Sequence, residues 1–215
     1  MIGRAKHFSS NNDGASAAEF ALVLPIMLLF LFGIIDVGRL MWTWNQAEKA
    51  TQMGVRYAVV TTMIPPGLAS HSFSVNGGLI QGAVIPRSSF GGAICELENK
   101  SLATSALSCK CMTGETCPDL GKPTNTTTAP FSNIVTRMKA IYPTIAKNNV
   151  VVEYGYSGLG YAGDPFGPDV APLITVSLRN ITFTPILLQV FGGSITLPDF
   201  RASLTMEDGA GSASN

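Results

Sequence analysis

The sequence predicts an α+β fold: one long N-terminal helix, its first half spanning a membrane, that leads into a small domain with an antiparallel sheet backed by one or two helices. Three observations carry this. From Ala15 to Ile35 the only ionisable residue is Glu19. Mixed apolar and polar positions then continue without a proline until Pro65-Pro66. Beyond residue 146, short β-branched and alternating stretches read as strands.

At a rise of about 1.5 Å per residue, the run 15–35 covers about 30 Å, the thickness of a bilayer's hydrocarbon core. A soluble domain has little reason to make a helix apolar on every face. The competing readings are a buried core helix and a cleaved secretory signal. The run is longer than the roughly 7–15 apolar residues of a signal's central region, and no small-residue cleavage pattern closes it. It reads as an anchor. Glu19 is the exception inside it, because a carboxylate at membrane depth is costly and marks a functional position by default. Near the end of the span a snorkelling or protonated glutamate is cheaper, which is the plainer reading. Pro25 lacks an N–H and crowds the Ala21 carbonyl, so a kink or loosening is expected there. Gly33 and Gly38 permit close helix approach without forming a clean small-residue pair.

Residues 1–14 are a short polar leader with Arg4, Lys6 and His7. Gly14 is followed by four small residues (Ala15, Ser16, Ala17, Ala18) and then Glu19-Phe20. Further on come Leu24-Pro25 and Phe32-Gly33-Ile34-Ile35-Asp36-Val37-Gly38-Arg39. Over residues 1–60 this pattern resembles type IV prepilins, and within them the TadE/TadF-like minor pseudopilins of the tight-adherence (Flp, type IVc) pilus system. The resemblance implies a pilin-like lollipop and cleavage by a prepilin peptidase between Gly14 and Ala15. Gly14, Ala15, Glu19 and Phe20 are then processing positions, and Glu19 and Pro25 assembly positions. Cutting creates an α-ammonium at Ala15, which a carboxylate four residues along can neutralise in its own or a neighbouring subunit. In a low dielectric that pairing is far stronger than in water, provided both desolvation costs are met. By the same resemblance the partners are the prepilin peptidase, a TadF-like sister pseudopilin, the major Flp pilin and the inner-membrane platform, besides the lipid bilayer. The implied function is assembly or initiation of a Tad pilus, in adherence and biofilm formation. The major pilin is little more than a helix; the large outer domain here points to a minor component.

The expected organisation is a cytoplasmic leader (1–14), a helix (15–63, with 15–35 in the membrane and 36–63 periplasmic) and a periplasmic α+β domain (64–215) with a cysteine-containing loop at 86–130. The chain of 215 residues has 14 basic and 14 acidic residues. Neither a basic run with interleaved aromatics nor a zinc-finger spacing is present, so no nucleic-acid partner is expected. Leader charges, opposed by Arg39 and Lys49 after the span, favour a cytoplasmic N-terminus. The location expected is a bacterial inner membrane, single-pass, with the outer domain periplasmic or carried into an extracellular pilus. All four cysteines lie beyond the anchor, as an oxidising compartment allows.

Trp42 and Trp44 sit where an interfacial aromatic belt belongs, and Pro65-Pro66-Gly67 is the expected end of the helix. Residues 67–130 read as loop-rich, with a short edge strand at 79–85. Within them Cys95, Cys109, Cys111 and Cys117 are candidates for two disulfides. Pairing Cys109 with Cys111 across one residue is poor geometry, which leaves Cys95 with either of them and Cys117 with the other. Cys-x-Cys without a nearby histidine does not fit a zinc knuckle, and no metal or other cofactor is expected. Residues 131–146 place Phe131, Ile134, Val135, Met138, Ile141, Tyr142 and Ile145 on one helical face, with Pro143 expected to end or bend the helix near Tyr142. Strands are expected at 150–154, 173–181 and 200–206, with a helical turn at 185–191. Asp164 and Asp169, in the Gly- and Pro-rich loop between the first two, suit turn chemistry better than calcium. No nucleophile elbow, phosphate loop or metalloprotease signature occurs, so the chain is not expected to be an enzyme. The alternative to a pilus subunit is a permanently anchored periplasmic binding or adhesin module.

Overall fold

The computed structural model describes residues 14–99, 101, 105–123, 128–189 and 192–206. The leader before Gly14, the polar stretch 124–127 and the tail 207–215 lie outside the described residues. The chain divides into two compact units: residues up to Thr43 together with Thr182–Ile195, and Trp44–Ile181 together with the residues from Thr196 onward.

Helix α1 (Ala15–Ala58) runs through Pro25 without a break in assignment. From Ala47 onward its buried positions are Ala47, Ala50, Thr51, Gly54, Val55, Tyr57 and Ala58, the three-and-four spacing of one helix face. Small residues dominate this stripe because the helix lies close to its neighbours. A Cβ built on Gly54 would come within 2.9 Å of the Met138 side chain and 3.2 Å of Val176 Cγ1. The helix stops at Ala58, earlier than the expected residue 63. The β-branched run Val59-Val60-Thr61-Thr62 follows, and such residues lose χ1 freedom in a helix. The Thr61 hydroxyl donates to the Tyr57 carbonyl (2.9 Å), satisfying one of the last helical acceptors. The two prolines expected to end α1 instead open a short α2 (Pro66–Ser70), where a missing N–H costs nothing.

The sheet is antiparallel throughout, in the order β2-β1-β3-β4-β7, from β1 (Gly92–Leu97), β2 (Leu107–Cys111), β3 (Val150–Gly155), β4 (Leu173–Leu178) and β7 (Phe200–Thr205). A two-stranded pair, β5 (Thr182–Phe183) with β6 (Ile195–Thr196), flanks the one-turn α4 (Ile186–Gln189). Helix α3 (Thr128–Lys139) ends shortly before the stop expected near Tyr142, and Tyr142 and Ile145 are buried from the turns that follow. One face of the sheet is apolar: Ala93 and Cys95 on β1, Val150, Val152 and Tyr154 on β3, Ile174, Val176 and Leu178 on β4. This face makes the core with Phe131, Ile134, Val135 and Met138 of α3, all almost fully buried. Trp44, although exposed, meets Phe200 edge-on at 5.0 Å between ring centroids.

Two expectations fail here. The segment 79–85 is not a strand; only Val84 makes an isolated bridge, to Tyr161. The region taken as loop, 86–130, holds β1 and β2, so the sheet has five strands instead of three. The alternation Ala93, Cys95, Leu97 against Ile94, Glu96 is the signal for β1, obscured by cysteines that equally suit a stapled loop. Strand register also settles the pairing left open by the sequence. Cys95 stands directly opposite Cys109, their Cα atoms 4.1 Å apart, and they form a cross-strand disulfide. Cys111 closes a shorter loop with Cys117.

Candidate functional site

The N-terminal segment of α1 places the residues singled out from the sequence. Helix assignment begins at Ala15, directly after Gly14. Glu19 and Phe20 are exposed, and Phe20 retains 64% of its accessible surface. Among the described residues Glu19 makes no ion pair. Leu22, Val23, Ile26, Met27, Leu29, Phe30, Leu31 and Ile34 are also exposed, on all sides of the helix. This helix is long and apolar enough to cross a membrane. That surface has two features: apolar sides that an apolar medium would cover, and one exposed carboxylate among them.

Asp36, which in the sequence only marks the end of the apolar run, has a structural task. Its carboxylate is buried and accepts the backbone N–H groups of Ile186 (2.8 Å) and Leu187 (3.2 Å), the first residues of α4. Arg39, one turn on, donates to the same carboxylate at 3.0 Å and lies 5.4 Å over the Phe183 ring. A lone acid at the end of an apolar run, with an arginine three residues later, was the available signal. Beside this clasp, Leu29, Phe30, Gly33, Ile34, Val37 and Leu187 line an apolar groove of about 390 Å³. Gly33 contributes no side chain to fill it.

In the sheet domain the face away from the core is ionic. Glu153, buried at the centre of β3, pairs with Arg179 (2.8 Å) and Arg201. Arg179 also reaches Asp199, and Lys110 pairs with Glu96 at 3.3 Å. An open cleft of about 630 Å³ lies on this side, lined by Arg87, Glu96, Lys110, Glu115, Tyr156 and Arg179 among others. Arg87 bonds Glu115, and that hydrogen bond holds the Glu115 carboxyl below the usual carboxylate range. The cleft's charges are therefore largely committed to one another. Among the described residues no three His, Cys, Asp or Glu gather as a metal site.

The other candidates are placed as follows. Cys95 is fully buried and Cys111 exposed, so one disulfide staples the core sheet and the other a surface turn. Asp169 accepts the N–H groups of Phe73, Gly163 and Asp164, and Asp164 accepts that of Phe166. Both aspartates thus do turn chemistry, and Asp169 additionally ties two loops together. The Tyr154 phenol accepts the Ile64 N–H at 2.9 Å, and burial pushes its ionisation far up.

Residues 14–56 match the family described as TadE-like protein. No curated protein and no solved structure matches the chain. The match spans nearly all of α1 and stops where the domain of loops and strands begins.

Proposed function

We propose that this chain, TadE-like over residues 14–56 and by that match a component associated with the Tad pilus machinery, is a membrane-anchored minor pseudopilin. A prepilin peptidase removes residues 1–14, and Glu19 becomes the fifth residue of the mature protein. The observation that carries this reading is the coincidence of three features at one helix end. Helix α1 starts at Ala15, its first 21 residues or so expose apolar side chains on every side, about 30 Å of them, and one exposed carboxylate stands a single turn in. A bare α-ammonium at Ala15 of a neighbouring subunit is the cation that such a carboxylate lacks. Their pairing sets the axial stagger between packed helices.

The role is non-enzymatic. The chain acts in assembly or initiation with a sister pseudopilin, the major pilin and the inner-membrane platform. The N-terminus is cytoplasmic and the disulfide-bearing domain periplasmic. A permanently anchored binding module remains the second reading, favoured by the 630 Å³ cleft in a domain that the family match does not cover.

Sequencing the N-terminus of detergent-extracted protein, with and without a co-expressed prepilin peptidase, tests this. The expected mature chain begins at Ala15. A chain that keeps its leader in the presence of the peptidase overturns the reading. Glu19→Ala is expected to leave the protein in the membrane and abolish its incorporation into pili.

A further inference from the structure

A second apolar stretch of the chain sits beside the first. Between Arg179 and Asp199 there is no ionisable residue. Within it, Thr182–Ile195 forms one compact unit with the N-terminal part of α1. Leu187 lines the same groove as Leu29, Phe30 and Gly33 of α1, and Leu29 lies about 10 Å along the helix from Asp36 toward the membrane interior. Leu188 and Ile195 keep 40% and 42% of their surface exposed, with no charged side chain among their sequence neighbours.

We propose that Thr182–Gln189, with Gly192–Ile195, forms a second membrane-contacting element, a finger that dips into the lipid boundary alongside α1. This rests on reading α1 as the membrane anchor. Lipid is the occupant that the surface fits, because the finger continues the surface of a helix that must itself be covered by acyl chains. Its backbone is prepared for a medium that offers few hydrogen bonds. The N–H groups of Ile186 and Leu187 are bonded to Asp36, those of Gln189, Gly192 and Gly193 to carbonyls of the finger itself, and Thr182–Phe183 pairs with Ile195–Thr196. Asp36 fixes the depth: it holds the start of α4 at the residue where the apolar run of α1 ends. Arg39 keeps that carboxylate paired at the water side, as basic residues do at membrane interfaces. The arrangement is that of an interfacial segment, apolar toward lipid and too short to cross.

Site-specific photo-crosslinking on the full chain tests this. The photoreactive residue p-benzoylphenylalanine replaces Leu188, or Leu22 within the span, or Val75, which is exposed in the outer domain. Each variant is reconstituted in phosphatidylethanolamine–phosphatidylglycerol vesicles, irradiated and analysed by mass spectrometry. Lipid adducts at 188 in a yield close to that at 22, with none at 75, support the proposal. Lipid adducts at 22 with only protein adducts or none at 188 overturn it and leave the anchor standing. Equal yields at 188 and 75 also overturn it. No lipid adduct at 22 removes the anchor reading, and this inference with it.

Discussion

The two halves of α1 are one continuous helix with two different surfaces. Up to Ile35 its side chains are apolar and almost all exposed: Leu22 keeps 75% of its surface and Phe30 66%. From Ala47 to Ala58 the composition is more polar, yet Ala47 and Ala50 are fully buried and Thr51 and Val55 nearly so. Hydrophobicity therefore does not say which half is inside the protein. Periodicity does. The first half has no polar face, as suits a helix fit for apolar surroundings; the second has one stripe, mostly of small residues, because a packed domain covers only that face.

Exchanging the same charge between the halves breaks this comparison most forcefully. Met27→Arg places a guanidinium near the middle of the span, at a cost of about 2.5–3.5 kcal/mol on insertion scales. The expected result is a shift of the protein out of the membrane fraction, with the outer domain's thermal transition unchanged. Ala50→Arg puts the same group in the core without a partner, and the expected result is the reverse: loss of the domain's cooperative melting, with membrane partitioning retained. A smaller effect comes from Gly54→Ala. Its new methyl meets Met138 at 2.9 Å, and overpacking of this kind typically costs about 1–3 kcal/mol, read as a lower midpoint in denaturant. The equivalent Gly33→Ala has open space and is expected to leave stability unchanged.

The smallest effect concerns the cleft. Because the hydrogen bond from Arg87 lowers the folded-state ionisation of Glu115, that pair stabilises the protein fully above the ordinary carboxylate range. The contribution is lost as pH falls through the depressed folded value. Both groups are partly solvated, so the effect is modest. Glu115→Gln is expected to reduce the drop in melting temperature between neutral and acidic pH, as measured by circular dichroism.

Much of the chain was legible because its signals are local. A lipid-length apolar run, the Gly14–Glu19 spacing, the helical face of 131–138 and the alternation at 173–178 each announce themselves within a few turns or residues. The strands β1 and β2 were not read. Their alternation is short, and cysteine, glycine and serine interrupt it among turn residues. The helical turn expected at 185–191 is present as α4 (Ile186–Gln189), but its tie to Asp36 joins residues 150 positions apart and leaves no local signal.

By itself the sequence determined the helix, its membrane-like first half, the α+β class and the residues of the TadE-like segment, all of which follow from periodicity and composition along neighbouring positions. Only the tertiary structure decided that Cys95 meets Cys109, that Glu153 gathers Arg179 and Arg201, and that Asp36 receives the start of α4. These contacts join residues distant in the chain, and strand register and close packing, which no local pattern encodes, choose among partners that the sequence leaves equivalent.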